Sequence, residues 1–254
     1  MLVPLRPVSD THTGAGTEGI RAIMRRALSL YRARFGLYVA LVAIPVVPVG
    51  IAIVALAAAA PNPGSSLQRI TYIDFAAEFL LVNPLCQAMV AFAVVEQLAG
   101  RKPALPATLR AVLPYWSALV GTVILSVLAI VAGVVALIIP GVIMAIWFQF
   151  VGQVVILEHG TYLDALRRCR DLVRGAWWRT FGSLIAIGVA GAAASVVLTA
   201  LVSGALQPQD ASDRSKLVAP LVANIPTSIL VLPFSTIALT LVYLRLRARR
   251  DSAA

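Results

Sequence analysis

The amino-acid sequence predicts an all-α polytopic membrane protein: six transmembrane helices in three hairpins, each preceded by a cytoplasmic amphipathic helix. Three observations lead to this fold class: the composition, the length of the charge-free segments and the placement of the arginines. Of 254 residues, 60% are hydrophobic and only 13% are charged, against about 45–50% and about 25% in soluble domains. Because so little polar surface remains to face water, most of the exterior is expected to face lipid.

The charge-free runs set the number of spans. Five runs are present, at 35–68, 79–95, 111–157, 180–209 and 217–244. The third holds 47 residues, which as one helix would extend roughly 70 Å, more than two hydrocarbon cores. It is therefore expected to fold back at Ile138-Ile139-Pro140-Gly141, where proline interrupts the hydrogen-bond ladder and glycine tolerates a positive φ. The predicted spans are 37–59, 74–98, 115–139, 141–157, 181–206 and 218–244.

The remaining elements follow from the same runs. Segments this long, without period-two alternation, exclude a transmembrane β-barrel. The first 19 residues are polar, so a secretory signal is not expected and the first span should stay in the mature protein. The predicted organisation is a disordered polar tail at 1–19, one membrane domain at 20–250 and a short tail at 251–254.

The basic residues predict the orientation. Eighteen of the 21 lysines and arginines fall in segments 6–34, 101–110, 167–179 and 245–250, while only Arg69, Arg214 and Lys216 fall in the alternate connections. By the positive-inside rule, both termini are expected on the cytoplasmic side of the inner membrane. Arginines at helix ends can reach lipid headgroups, so the excess of positive charge needs no nucleic acid as a partner.

The cytoplasmic segments before the odd-numbered spans have helical periodicity. The first places Ile20, Ile23, Met24, Ala27, Leu28, Tyr31 and Phe35 on one face; the third does the same with Leu163, Leu166, Cys169, Val173, Ala176 and Trp177. The middle segment is weaker, with Leu105, Leu109, Val112 and Trp116. In the third segment Asp164 and Arg168 are four residues apart and are expected to pair weakly. Each segment precedes two spans, which predicts three parallel repeats at 20–100, 101–160 and 161–250; chance alignment of alternating basic and apolar segments is the alternative.

Several short motifs carry a resemblance to a known family. They are Ile139-Pro140-Gly141, Val155-Ile156-Leu157-Glu158-His159-Gly160, Ala165-Leu166-Arg167-Arg168-Cys169-Arg170-Asp171-Leu172-Val173-Arg174-Gly175, Trp178-Arg179-Thr180-Phe181-Gly182, Tyr243-Leu244-Arg245-Leu246-Arg247 and Ala27-Leu28-Ser29-Leu30-Tyr31. Together they resemble the membrane-domain family of glycerophosphoryl diester phosphodiesterases and its stand-alone bacterial relatives. The resemblance implies a membrane helper or anchor module. The longest soluble segment has about 20 residues, whereas the (β/α)₈ barrel of a catalytic domain needs about 250.

Nothing in the sequence assembles a catalytic site, so we expect no enzyme activity, no metal and no cofactor. The only histidines are His12 and His159, too few for a zinc cluster. The spacing Gly14-x-Gly16-x-x-Gly19 matches a dinucleotide motif, but no strand precedes it. Cys86 and Cys169 lie in dissimilar surroundings and are both expected to be reduced.

The intramembrane polar residues are candidates for an ion or substrate site, because charge inside a bilayer is costly. They are Asp74, Glu78, Asn83, Glu96 and Glu158. Asp74 and Glu78 lie four apart near the outer end of span two, where they can share a proton, although their depth favours a wet interface or a pair with Arg69 instead. Glu96 and Glu158 end spans two and four, where they can instead pair with arginines as structural clamps.

Two main functions remain open at this point. The first is a non-enzymatic membrane scaffold or accessory module that contacts anionic inner-leaflet lipid or a partner protein through arginine-rich helices. Its candidate contact residues are Arg25, Arg26, Arg167, Arg168 and Arg174. The second is a small transporter or lipid-moving protein that uses kinked spans two and six. A stripe of small residues in span five, from Gly188 to Thr199, leaves a partner membrane protein or a homo-oligomer open as well.

Overall fold

The computed structural model of the chain describes residues 17–59, 63–206 and 213–252, and these form helices without any strand. The α-helices are α1 (Thr17–Ala33), α2 (Phe35–Ala59), α3 (Pro63–Ala77), α4 (Asn83–Leu98), α5 (Leu105–Val112), α6 (Trp116–Ala136), α7 (Ile138–Phe148), α8 (Val151–Leu157), α9 (Tyr162–Val173), α10 (Trp177–Leu206) and α11 (Asp213–Asp251). A π-helical segment, Glu78–Val82, joins α3 to α4, and a 3₁₀ turn, Leu113–Tyr115, joins α5 to α6. Of the predicted N-terminal tail, residues 1–16 lie outside the described ranges, as does the glycine motif up to Gly16.

The all-helical class and the six spans are confirmed. Within the described residues, six helical stretches are long and apolar enough to cross a membrane: Phe35–Ala59, Gln68–Leu98, Leu105–Ala136, Ile138–Leu157, Trp177–Ala205 and Ala219–Asp251. We call them spans one to six. Spans two, three and six are longer than predicted, because helical geometry continues into polar segments that the search for charge-free runs left out.

The reversal inside the long apolar run falls at Leu137, one residue before the predicted Ile138. Leu137 is extended, with φ −169° and ψ 141°, and it separates α6 from α7. The expected role of Gly141 was wrong, since the described glycines with positive φ are Gly100 and Gly175. Gly141 instead permits close packing: a Cβ there would lie 2.8 Å from the backbone nitrogen of Val134.

Spans two, four and six carry irregularities. In span two, the N–H of Asn83 donates to the carbonyl of Glu78, five residues back, just before Pro84, which has no N–H to donate. Span four is interrupted at Gln149 and Phe150, between α7 and α8. In span six, α11 contains Pro220, Pro226 and Pro233 and still continues as one helix.

The core lies where α2, α4, α8 and α11 meet. Helix α11 packs against α2, α4 and α10, and α4 packs against α8. Tyr38, Met89, Phe150 and Tyr243 are among the largest fully buried side chains. Span five is the most peripheral, with only 11% of its apolar stretch buried. The bundle interior is therefore built mainly from spans two, four and six.

The arginine-rich helices α1 and α9 pack on this core. In α1, the residues Ile23, Ala27 and Tyr31 are buried, whereas Leu28 is exposed, as is Phe35 at the start of α2; both had been predicted on the same apolar face. Helix α1 runs alongside α11, because Arg245 donates to the Gly19 carbonyl at 3.2 Å and the Tyr31 hydroxyl donates to the Leu230 carbonyl at 3.0 Å.

The buried face of α9 differs from its sequence pattern. It contains Leu166, Cys169 and Val173 as predicted, and Ala165 and Leu172 in addition, while the predicted face member Leu163 is exposed. Burial raises the pKa of the Cys169 thiol, so this side chain behaves as a packing group. Helices α1 and α9 are thus anchored on the bundle by a few buried side chains each.

Candidate functional site

One polar network joins the end of span four, α9 and the end of α11. The carboxylate of Glu158 accepts hydrogen bonds from Arg168 Nε at 2.6 Å and from the Tyr243 hydroxyl at 2.5 Å. Arg247 Nε lies 3.8 Å from Glu158 and 3.8 Å from Asp251, and Asp251 lies 3.7 Å from Arg168. We call these five residues the Glu158 clasp. Two carboxylates and two guanidinium groups balance its charge.

The clasp is partly withdrawn from solvent. The side chain of Glu158 is 16% exposed and that of Arg168 34%, while Tyr243 is fully buried. The hydrogen bond with Glu158 raises the pKa of the Arg168 guanidinium, which therefore stays charged. Because the Glu158 carboxylate is charged, its hydrogen bonds to Arg168 of α9 and to the Tyr243 hydroxyl of α11 hold these two helices at the end of span four.

A strained turn positions α9 for this contact. His159 and Tyr162 have positive φ angles of 56° and 46°, which non-glycine residues rarely adopt. The His159 ring stacks on Tyr115 with centroids 5.1 Å apart, and the Tyr162 N–H donates to Thr122 Oγ1 at 2.9 Å. These contacts with the 3₁₀ turn and the first part of α6 offset the backbone strain.

The expected pair between Asp164 and Arg168 is wrong. Asp164 lies 3.8 Å from Arg167 instead, and both side chains are more than 70% exposed. Arg168 turns inward to Glu158, because a partly buried carboxylate that also accepts from Tyr243 holds a guanidinium better than a solvated one.

Glu96 has a separate arrangement at the end of span two. Its two carboxylate oxygens face Arg101 Nε and Nη2 at 2.5 Å each. Solvent weakens this ion pair, because the Arg101 side chain is 46% exposed. One residue later, Gln97 accepts a hydrogen bond of 2.7 Å from the buried Tyr38 hydroxyl. Glu96 and Glu158 thus both pair with arginines that follow their spans, and only Glu158 reaches an arginine on a helix.

The candidate contact arginines divide into two groups. Arg25, Arg26, Arg167 and Arg174 are exposed, whereas Arg168 belongs to the clasp. Both helices pack against α11: Arg245 contacts the first turn of α1, and Asp251 contacts Arg168 of α9. Exposed arginines therefore lie on two helices that flank α11.

The intramembrane candidates lie at a different place, between spans two and six. Asp74 and Glu78 line a pocket of about 10 Å³ together with Val46, Val49, Gly50, Ile53, Val82, Leu221, Asn224 and Ile225. Asn224 Nδ2 donates to Glu78 Oε1 at 3.0 Å. Within the described chain, Asp74 and Arg69 form no ion pair, so that expectation is wrong. Asn83 is not among the lining residues; its backbone N–H, bonded to Glu78, shapes the π-helical segment.

Sequence reasoning missed three polar residues of these regions. Asn224 was not singled out and Tyr243 appeared only within a family motif, because their partners are distant in sequence. Gln153 was not singled out. It is fully buried in α8, and neither its amide nitrogen nor its amide oxygen has a hydrogen-bond partner within the described chain. The sequence signal for it is a polar amide inside an apolar run, a signal that Gln149 shares.

The six apolar helical stretches define a multi-pass α-helical membrane protein. Within that class, residues 107–246 match a family described as Domain of unknown function (DUF7847), and the chain belongs to this family. The matched region includes Glu158, Arg168, Tyr243 and Asn224, while Asp74, Glu78 and Glu96 precede it. No curated protein and no solved structure matches the chain.

Proposed function

We propose that the protein is a non-enzymatic accessory module of the cytoplasmic membrane that contacts anionic inner-leaflet lipid through its exposed arginines. The carrying observation is the exposure of Arg25, Arg26, Arg167 and Arg174 on α1 and α9, two helices that both pack against α11. Each basic residue near an anionic surface contributes about 1 kcal/mol. Four such residues therefore favour an anionic headgroup layer over a zwitterionic one.

The proposed topology places both termini in the cytoplasm and arranges the spans as three hairpins, each preceded by an amphipathic helix. The contacts of α6 with α7 and of α10 with α11 support the pairing. The buried residues Ile23 and Leu166, beside the exposed Arg25 and Arg167, support the amphipathic assignment of α1 and α9. The excess of arginine in alternate connections supports the orientation.

We also propose kinship with the membrane domain of glycerophosphoryl diester phosphodiesterases. The motifs at 139–141, 155–160 and 165–175 support it, and they lie within the region that matches the family of unknown function. In this reading the chain serves a partner membrane protein or a second copy as an anchor.

Lipid retention tests the proposed contact. The protein is reconstituted in nanodiscs containing phosphatidylglycerol and phosphatidylcholine, extracted in mild detergent, and its retained lipids are quantified by mass spectrometry. Neutralising one contact arginine, as in Arg167→Gln, is expected to reduce phosphatidylglycerol retention about fivefold at low salt. The charge reversals Arg25→Glu with Arg26→Glu and Arg167→Glu with Arg174→Glu should remove the preference.

The matched control is Arg69→Glu, an exposed arginine in the alternate set of connections. It should leave the retained phosphatidylglycerol unchanged. Equal retention by the wild type and both double reversals would refute the proposal. Loss of retention in Arg69→Glu alone would refute the orientation.

A second candidate function is a small transporter or lipid-moving protein that uses spans two and six. The pocket lined by Asp74, Glu78 and Asn224 favours it. A volume of about 10 Å³ holds roughly one water molecule, which restricts the cargo to a very small species unless the spans separate. Proton-driven acidification of proteoliposomes, abolished by Glu78→Gln, would support this candidate, and identical flux in empty liposomes would exclude it.

A further inference from the structure

Two locally weakened helices meet at Glu78. Glu78 opens the π-helical segment of span two, which ends next to Pro84. Across the pocket, Asn224 lies between Pro220 and Pro226 of α11. Prolines and π-helical segments interrupt the regular backbone ladder, and such interruptions are where helices bend.

Within the described chain, one side-chain hydrogen bond is seen between the two helices at this point. Asn224 Nδ2 donates to Glu78 Oε1 at 3.0 Å, and Ser228 Oγ lies 3.4 Å from Asn224 Oδ1. The other pocket walls are mainly apolar, from α2 and α11. In the described chain, the polar surroundings of the Glu78 carboxyl group are therefore this one amide donor and the water-sized pocket beside it.

Few other charged or titratable groups face Glu78. Asp74 lies one helical turn before it and lines the same pocket. Helix α4 contributes the buried Cys86, one turn beyond Val82. The segments of α2 and α6 packed against the π-helical segment contain no charged residue. On α11, Arg214 and Lys216 precede Asn224 by at least two turns in sequence. The described chain shows no ion pair for Glu78.

We propose that Glu78 binds and releases a proton, and that this proton controls the hydrogen bond that holds span six to span two through Asn224. As a carboxylate, Glu78 is the charged acceptor of the Asn224 N–H, and charge-assisted bonds are the stronger kind. Protonation at a carboxylate oxygen, from water in the pocket, removes the charge and weakens that bond. The two interrupted helices then separate at the pocket, and deprotonation returns the proton to water and restores the bond. This inference is independent of the arginine surface.

Infrared titration tests whether Glu78 binds and releases a proton. Wild-type protein in nanodiscs is titrated from about pH 9 to about pH 4, and the C=O stretch of a protonated carboxyl group is followed by difference spectroscopy. A band is expected that is absent from Glu78→Gln and present in Asp74→Asn and in the exposed control Asp164→Asn. Absence of this band from the wild type, or its loss in Asp74→Asn but not in Glu78→Gln, would overturn the proposal.

Distance measurements test the coupling. Spin labels are placed at Ile73→Cys and Leu230→Cys after replacing both native cysteines by alanine. The label distance is expected to shift as the pH falls, and Glu78→Gln and Asn224→Leu should hold the low-pH distance at every pH. A wild-type distance that does not change over the titration refutes the coupling even where a variant fails to fold. Phosphatidylglycerol retention is measured on the same samples. The proposed lipid contact and the proposed coupling at Glu78 can then fail independently of each other.

Discussion

Removing the carboxylate of the Glu158 clasp should destabilise the folded protein strongly. Glu158→Ala leaves the fully buried Tyr243 hydroxyl without its acceptor and Arg168 without its nearest carboxylate. A hydrogen bond to a charged group contributes about 1.5–3 kcal/mol, and breaking a buried ion pair costs about 3–5 kcal/mol. Because Arg168 is 34% exposed, we expect the lower part of that range, about 3 kcal/mol.

Two further variants separate the contribution of the Glu158 charge to this loss from that of the Tyr243 hydrogen bond. Glu158→Gln keeps an oxygen for the Tyr243 hydroxyl and loses the charge, so about half of the effect is expected, roughly 1.5 kcal/mol. Tyr243→Phe removes only the hydroxyl and its bond to the carboxylate, and is expected to cost about 1.5 kcal/mol. In the double variant Glu158→Ala with Tyr243→Phe, the shared hydrogen bond should appear as a coupling energy of about 1 kcal/mol.

The assay is reversible unfolding in mixed micelles with increasing denaturing detergent, followed by circular dichroism. Asp164→Ala is the matched control, since this carboxylate is 81% exposed and its ion pair spans 3.8 Å. If Glu158→Ala and Asp164→Ala lower the free energy of unfolding equally, within about 0.5 kcal/mol, the clasp does not stabilise the fold and the reasoning is refuted.

Three more predictions concern packing and burial. Gly141→Ala should cost about 1–3 kcal/mol of unfolding free energy through overpacking, whereas Gly188→Ala, which meets no atom within 4 Å, should be neutral or slightly stabilising; equal effects in detergent unfolding would contradict this. Cys169 should resist maleimide at neutral pH until the protein unfolds, because it is buried and its raised pKa keeps the thiol protonated; rapid labelling of the folded protein would show that α9 detaches. Tyr31→Phe should cost about 1 kcal/mol by removing its bond to the Leu230 carbonyl, and an unchanged unfolding curve would place α1 away from α11.

The spans were predictable because lipid imposes one strong requirement on the sequence. A helix that crosses hydrocarbon must exclude charge over about 20 residues, and the charge-free runs record that directly. The reversal near Pro140 was found within a residue for the same reason, since one helix of 47 residues does not fit. The role of Gly141 was misjudged because a turn and a close helix contact both favour glycine.

The polar contacts were harder to predict because their partners are remote in sequence. The local rule of four-residue spacing paired Arg168 with Asp164, but the fold offers Arg168 the less exposed Glu158. Asn224 of span six contacts Glu78 of span two, and because the two residues are 146 positions apart, no helical periodicity relates them. Residue type indicated which positions carry chemistry, whereas only the tertiary fold shows which of them meet.

The single-residue reversal at Leu137 bears on how the chain enters the bilayer. Leu137, Ile138 and Ile139 at the tip are all exposed and apolar, and residues 111–157 carry no charge. A charged side chain at the centre of a membrane costs about 2.5–3.5 kcal/mol on insertion scales. The α6–α7 pair avoids that cost, so it can be released sideways into lipid as a unit during biosynthesis, without any hydrophilic loop having to be translocated.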